Sequence, residues 1–229
     1  MDSWAHIPQL LASGLTVGAI YALVALSFVT ITRASQIINF AQGEFVMLGG
    51  VLTFFLLKNF SYPLAAFMAI VMVIMVGFLM YLSVIYPLRK APMLIPLIAT
   101  LGASIFLSNT SGFLFGTLPK ALPPFSTHQP FLTLGVYILP QSLYLLGTTF
   151  LLLASLYLLS HQTFLGKAME ASSTDPLGAD LLGISRNRMV FLSFGVSAGI
   201  GATAGILITP IFFTSYNSGT ILGDRKSVV

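Results

Sequence analysis

The chain has 229 residues, of which 56% are hydrophobic and 7% charged, and its formal net charge is +4. Soluble domains contain about 25% charged residues, so this composition excludes an ordinary soluble protein. The basic residues lie singly between apolar runs, which argues against a nucleic-acid partner. Because the chain has no cysteine, it has no disulfide framework and no cysteine-based nucleophile or metal site.

Apolar runs recur along the chain, each near the ~20 residues that a helix needs to cross a bilayer. Pro87 ends the third run, and Pro140 divides a later run that is too long for one upright helix, leaving a short outer segment before the fifth. We predict about six transmembrane helices, at residues 11–31, 37–57, 64–86, 93–116, 141–159 and 190–213. The first run lacks the basic start of a cleaved signal peptide, so we expect it to be retained. The sequence thus predicts an all-α, polytopic helical membrane protein.

The distribution of basic residues predicts that the N-terminus lies outside, because Lys and Arg are mostly retained on the cytoplasmic side. In this orientation the outer loops hold only Lys58 and Lys120. The inner loops hold six bases: Arg33, Arg89, Lys90, Lys167, Arg186 and Arg188.

The inner connection at residues 161–189 is the most polar stretch of the chain, and its pattern predicts two short helices. The first covers about residues 164–172. The second begins with Asp175 as N-cap and Pro176 at the first helical position. It ends before Gly183, which we expect to adopt the left-handed conformation typical of a helix C-terminus. The residues alone leave open whether this hairpin binds a partner or is a plain solvated loop.

Catalytic motifs are absent from the sequence. There is no phosphate-binding loop, the three histidines lie in separate segments without ligand spacing, and no serine sits in a nucleophile elbow. Glu44 is the only carboxylate inside a predicted span, so this chain cannot assemble a paired acid and base in the membrane. We therefore expect a protein that is not an enzyme and that has no metal or cofactor of its own.

Three polar residues, Asn39, Gln42 and Glu44, interrupt the apolar second span. We expect Glu44 on the order of 10 Å into its helix, where an acid costs about 2.5–3.5 kcal/mol. Asn39 and Gln42 would share one helix face with Gly43, whereas Glu44 would point about 140° away from Asn39. The sequence leaves two roles open, a translocation path or gate and the holding together of neighbouring helices.

Glycines at four-residue spacing predict faces where membrane helices pack closely. One pair lies in the first predicted span and two pairs lie in the sixth. These pairs are Gly14 with Gly18, Gly195 with Gly199, and Gly201 with Gly205.

The stretches GLTVGAIYAL (residues 14–23) and INFAQGEF (residues 38–45) resemble the permease subunits of branched-chain amino-acid ABC importers, the LivH type. The inner loop is similar to the "EAA" loop of that family, which docks on a cytoplasmic ATPase. The similarity of this loop rests on residues that include Glu170, Ala171, Asp175, Ala179, Gly183 and Ile184. The resemblance implies that these six residues couple the chain to the ATPase.

The resemblance implies an importer in the bacterial inner membrane, surrounded by lipid. Its partners would be a second permease chain, two ATP-binding subunits that hold ATP and magnesium, and a periplasmic substrate-binding protein. Branched-chain or other hydrophobic amino acids would pass between the two permeases, with Asn39, Gln42 and Glu44 near that path. Alternatives are a urea or short-amide permease of the same family, and an ion-coupled secondary transporter or channel with Glu44 as its ion site.

Two features depart from the family pattern. Gln42 stands where the family often has histidine. The family also continues beyond residues 216–219 into further spans, whereas here DRKSVV follows Gly223 and matches the translation of a common sequencing-adapter end. We therefore expect residues 1–223 to be an incomplete transmembrane domain and residues 224–229 to be a non-native tail.

Overall fold

The computed structural model describes residues 7–123, 131–133, 136–138 and 140–211, and this part of the chain is mostly helical. The predicted tail at residues 224–229 lies outside the described residues. A short antiparallel hairpin, with Phe131 opposite Ile138, precedes the fifth long helix. The elements in chain order are α1 (Ile7–Ser35), α2 (Gln42–Leu56), α3 (Tyr62–Met80), a π-helical turn (Tyr81–Ile85), α4 (Leu94–Phe115), β1 (Phe131–Thr133), β2 (Val136–Ile138), α5 (Pro140–Gln162), α6 (Phe164–Thr174), α7 (Pro176–Leu181) and α8 (Arg186–Ile208).

Five of the described helices are long and apolar enough to cross a bilayer: α1, α3 with its π-helical turn, α4, α5 and α8. Each coincides with a predicted span, so the prediction of a polytopic helical membrane protein is confirmed. The last two residues of the sixth predicted span, 212–213, lie outside the described residues.

The second predicted span begins later than the sequence suggested. Helix α2 starts at Gln42 and has 15 residues, which makes it about 22 Å long at 1.5 Å per residue. This is shorter than the ~30 Å hydrocarbon core of a bilayer. Most of α2 is buried, so the helix lies inside the bundle rather than against lipid.

Helix α8 lies at the centre of the bundle, where it packs against α1, α2 and α3. Small residues allow this close approach. At Gly77 of α3, an added Cβ would lie 2.7 Å from Ala198 Cβ, and at Gly205 of α8 it would lie 2.8 Å from the carbonyl carbon of Val46. Because membrane helices associate through close packing, these contacts make α8 the core on which the neighbouring helices assemble.

Hydrogen bonds and ring contacts group the loops at two opposite ends of the bundle. At one end, Arg186 donates to Ser35 O at 3.5 Å and the Tyr81 hydroxyl donates to Asn187 O at 3.0 Å. At the other end, the ammonium groups of Lys58 and Lys120 lie 4.8 and 5.3 Å from the centre of the same Phe55 ring. The predicted inner and outer bases are thus separated, whereas the side of the membrane that each end faces stays a prediction.

Candidate functional site

The polar connection between α5 and α8 folds into two short helices, α6 and α7. We call them the coupling hairpin after the role that the resemblance implies, which stays a prediction. The hydroxyl of Thr163 caps α6 by accepting from Gly166 N at 3.1 Å. The Asp175 carboxylate caps α7 by accepting from Gly178 N at 3.0 Å. Gly183, with φ +78°, follows α7 in the left-handed conformation that glycine adopts without strain. The predicted pair of helices and their end signals are confirmed, although α6 continues to Thr174.

The coupling hairpin is held firmly against the long helices. Helix α6 packs on α1, α5 and α8, with Ala168 and Ser172 buried in these contacts. At Gly166, an added Cβ would lie 2.5 Å from Ser160 Cα, so only glycine permits α6 to approach the end of α5 this closely. Ala179 of α7 is also buried. The hairpin therefore contacts three long helices directly.

Three leucines project from the outer part of the coupling hairpin. Leu177, Leu181 and Leu182 are 80%, 90% and 79% exposed. Clustered exposed apolar side chains of this kind are typical of protein interaction sites. Among the coupling residues implied by the sequence resemblance, three are exposed (Glu170, Asp175 and Gly183), two are half-buried (Ala171 and Ile184), and one is buried (Ala179).

The connection between α1 and α2 is buried in part but not helical, so its backbone needs hydrogen-bond partners from elsewhere. The side-chain oxygen of Asn39 accepts from Ala41 N at 3.1 Å. The hydroxyl of Thr100, on α4, accepts from Phe40 N at 3.3 Å. The prediction that Asn39 and Gln42 share one helix face is wrong, because Asn39 precedes α2. Its side chain instead bonds the backbone of the connection.

Gln42 and Ser197 together link three helices. Its side-chain oxygen lies 3.0 Å from the hydroxyl of Ser197 on α8, and the same hydroxyl lies within hydrogen-bonding distance of Ser27 O on α1. The serine carries one hydrogen and donates to one of these acceptors at a time. Gln42 Nε2 also donates to Ser197 O at 3.5 Å. This buried contact joins α1, α2 and α8.

Glu44 lies in the first turn of α2 and is fully buried. The predicted depth along its helix is therefore wrong, because α2 starts at residue 42. The hydroxyl of Ser104 on α4 donates to Glu44 Oε1 at 2.9 Å, and Oε2 has no hydrogen-bond partner among the described residues.

Ser104 belongs to a polar stripe on α4 that was not predicted from the sequence. Its members are buried and recur at the spacing of one helix face: Thr100, Ser104, Ser108 and Ser111. Hydroxyl residues every three or four positions in an apolar span were the available signal.

The three polar residues predicted near the translocation path are buried inside this chain. Gln42 faces α8 and Glu44 faces α4, so the prediction that these groups point in two directions is confirmed. The contacts of Gln42 with α8 and of Glu44 with α4 support the role of holding helices together, whereas Asn39 bonds the backbone of its own connection. Their role in a path or gate stays a prediction.

The predicted packing glycines lie in two different environments. Gly195 and Gly199 face side chains of α3, and Gly201 and Gly205 face α2. Gly14 and Gly18 are exposed, and an added Cβ at either would meet nothing within 4 Å. Within the described part of the chain, therefore, the glycines of α8 occupy packing faces and the pair on α1 does not. The described residues also contain no group of three or more His, Asp or Glu side chains that could hold a metal ion.

Known membrane transport proteins are similar to this chain over most of its length. The family described as "Branched-chain amino acid transport system / permease component" matches residues 10–223. This chain belongs to that permease family. A relative, the high-affinity branched-chain amino acid transport system permease protein BraD of Pseudomonas aeruginosa, is 33% identical over 218 residues, which cover 89% of this chain and 71% of BraD.

Two further members of the permease family are similar to this chain at lower sequence identity. The LivH permease protein of Salmonella typhimurium is 28% identical over 90% of this chain and 72% of its own length. A probable LivH permease of Methanocaldococcus jannaschii is 29% identical over 81% of this chain and 61% of its own length. No solved structure matches the chain. As a member of this permease family, the chain is a transport subunit and not an enzyme.

Proposed function

We propose that this chain is the membrane-spanning subunit of an ATP-driven importer for branched-chain or other hydrophobic amino acids. Membership of the permease family supports the transport role, and the names of BraD and LivH support the substrate class. The observation that carries the ATP-driven part is the coupling hairpin. It is capped at both helix starts, packed on three long helices, and tipped with exposed leucines.

The proposed partner of the hairpin is an ATP-binding subunit with an apolar groove. Leu177 and Leu181 would enter this groove, and burying each leucine fully contributes about 1.5–3 kcal/mol. When two ATP-binding subunits close on ATP and magnesium, the hairpin moves as a rigid body. The motion passes through α6 to α1, α5 and α8, and from α8 to α2 and α3.

The remaining parts of the proposed importer surround this chain in the bacterial inner membrane. A second permease subunit completes the path, and a periplasmic substrate-binding protein delivers the amino acid on the side opposite the coupling hairpin. The hairpin then lies in the cytoplasm, in agreement with the excess of basic residues at its end of the bundle. A urea or short-amide importer has the same architecture and differs in the cargo of its binding protein.

A single substitution tests the proposal. In a complex co-expressed with its ATP-binding subunits, Leu181→Asp places a charge where the partner is proposed to bury an apolar side chain. Loss of the leucine contact alone weakens binding about 10- to 150-fold, so we expect the ATP-binding subunit to be lost on purification and ATP-dependent leucine uptake to fall.

Leu118→Asp provides the matched control, because Leu118 is 77% exposed next to Lys120 at the other end of the bundle. We expect this variant to keep its partner and its uptake. Full association and uptake in the Leu181→Asp variant would contradict the proposal. Leucine uptake that continues without ATP would instead favour the ion-coupled alternative.

A further inference from the structure

A cavity of about 460 Å³ lies where the ends of α1 and α5 meet the first helix of the coupling hairpin. Its inner wall is apolar and includes Leu26, Val29, Leu153 and Leu156. Its mouth is polar and includes Arg33 in the last turn of α1 and His161 in the last turn of α5. The lining of the cavity does not include Leu177, Leu181 or Leu182, the exposed leucines of the proposed contact with the ATP-binding subunit.

The apolar wall is long compared with a small metabolite. Seven residues separate Leu26 from Arg33 on α1, which corresponds to about 10 Å along the helix axis. Eight residues separate Leu153 from His161 on α5, or about 12 Å. Val29 and Leu153 are 46% and 44% exposed on helices that are long enough to cross a bilayer. This depth and exposure suit an acyl chain better than the side chain of a free amino acid.

The charges at the mouth are of both signs. Arg33 of α1 and Glu170 of α6 line the same cavity, and both are exposed. An arginine offers several N–H donors in the geometry that binds phosphate oxygens. A carboxylate accepts hydrogen bonds from a primary ammonium group, which a quaternary ammonium group cannot donate. One cation with one anion therefore matches a zwitterion better than a purely anionic headgroup.

We propose that this cavity binds a phospholipid with a zwitterionic, primary-ammonium headgroup, of the phosphatidylethanolamine type. The phosphate contacts Arg33, the ammonium group contacts Glu170, and one acyl chain lies along the leucines of α1 and α5. The ring of Tyr157, 4.8 Å from that of His161, borders the headgroup. Because Glu170 belongs to the coupling hairpin, the bound lipid joins the hairpin to two long helices, a contact beyond the proposed transport role.

Native mass spectrometry of the detergent-purified full chain measures lipid affinity directly. It is titrated separately with phosphatidylethanolamine, phosphatidylglycerol and phosphatidylcholine of identical acyl chains. We expect the ethanolamine lipid to bind roughly tenfold more tightly than the other two, as one additional charge-assisted hydrogen bond predicts. This ranking tests the proposal on the unaltered protein.

Charge-neutralising variants locate the site. Arg33→Gln should weaken binding of the ethanolamine lipid roughly tenfold, and Glu170→Gln should remove its advantage over the choline lipid. Lys90→Gln and Asp180→Asn make the same charge changes at exposed positions outside the cavity and should have no effect.

Three results would overturn the proposal. Equal affinities for the three lipids would show that no headgroup is selected. Tightest binding of the glycerol lipid would show that the site prefers an anion. Displacement of the ethanolamine lipid by free leucine would identify an amino acid as the occupant.

Discussion

Replacement of Gly205 with alanine should weaken the contact between α8 and α2. The added Cβ would lie 2.8 Å from the carbonyl carbon of Val46 and 3.1 Å from Gly50 N. Both are backbone atoms of α2, so no side-chain rotation can relieve the overlap. The two helices must therefore move apart.

The size of the effect follows from the distances. Carbon atoms pack best at about 3.5–4.0 Å, so the contact with the carbonyl carbon requires a separation of roughly 1 Å. The carbonyl oxygen of Val46 lies closer still and requires more. Overpacking costs about 1–3 kcal/mol, and we expect the upper part of this range, about 2–3 kcal/mol, because the overlapped atoms belong to the backbone. The better helix propensity of alanine offsets about 1 kcal/mol of this cost. A net loss of about 1–2 kcal/mol lowers the Tm of a chain of this length by about 2–8 °C.

Thermal unfolding in detergent, followed by fluorescence-detected size exclusion, measures this change. Gly147→Ala is the matched control, because it makes the same substitution in α5 where an added Cβ meets nothing within 4 Å. We expect the control to keep or slightly raise its Tm. Equal Tm values for the two variants would refute the assignment of α8 as the packing centre.

Two further substitutions test single hydrogen bonds. Ser104→Ala leaves the buried Glu44 without its serine donor and should lower the free energy of unfolding by about 1–3 kcal/mol. Ser111→Ala should lower it less, because the Ser111 hydroxyl has no partner among the described residues. Equal losses of Tm would show that the bond from Ser104 contributes nothing. Asp175→Ala removes the cap of α7 and should cost about 1 kcal/mol of helix stability, seen as faster hydrogen exchange at Gly178 with an unchanged Tm. Unchanged exchange would contradict the capping role.

The coupling hairpin was predictable because its signals are local. The carboxylate of Asp175 bonds a backbone N–H three residues later, and Pro176 and Gly183 act through their own backbone dihedral angles. Each signal works within one turn of its helix. The order of residues therefore determines where α6 and α7 begin and end, whatever surrounds them.

The start of α2 and the partners of its polar residues depend on distant parts of the chain. The connection before α2 bonds Thr100, 60 residues away from Phe40, and Gln42 bonds Ser197, 155 residues away. A helix period predicts which residues share a face but not which helix that face meets. Gly14 and Gly205 belong to the same spacing pattern, yet only Gly205 meets a neighbouring helix in the described structure.

Labelling that shows which side of the membrane the coupling hairpin faces tests the proposed coupling to ATP most directly. The chain has no cysteine, so Leu181→Cys and Leu118→Cys each introduce a single thiol at an exposed position. With a membrane-impermeant maleimide, we expect Leu181→Cys to react only in inverted membranes, and more slowly when the ATP-binding subunit is bound. We expect Leu118→Cys to react when the periplasmic face is exposed. Reaction of Leu181→Cys from the periplasmic face would contradict the proposed coupling to ATP.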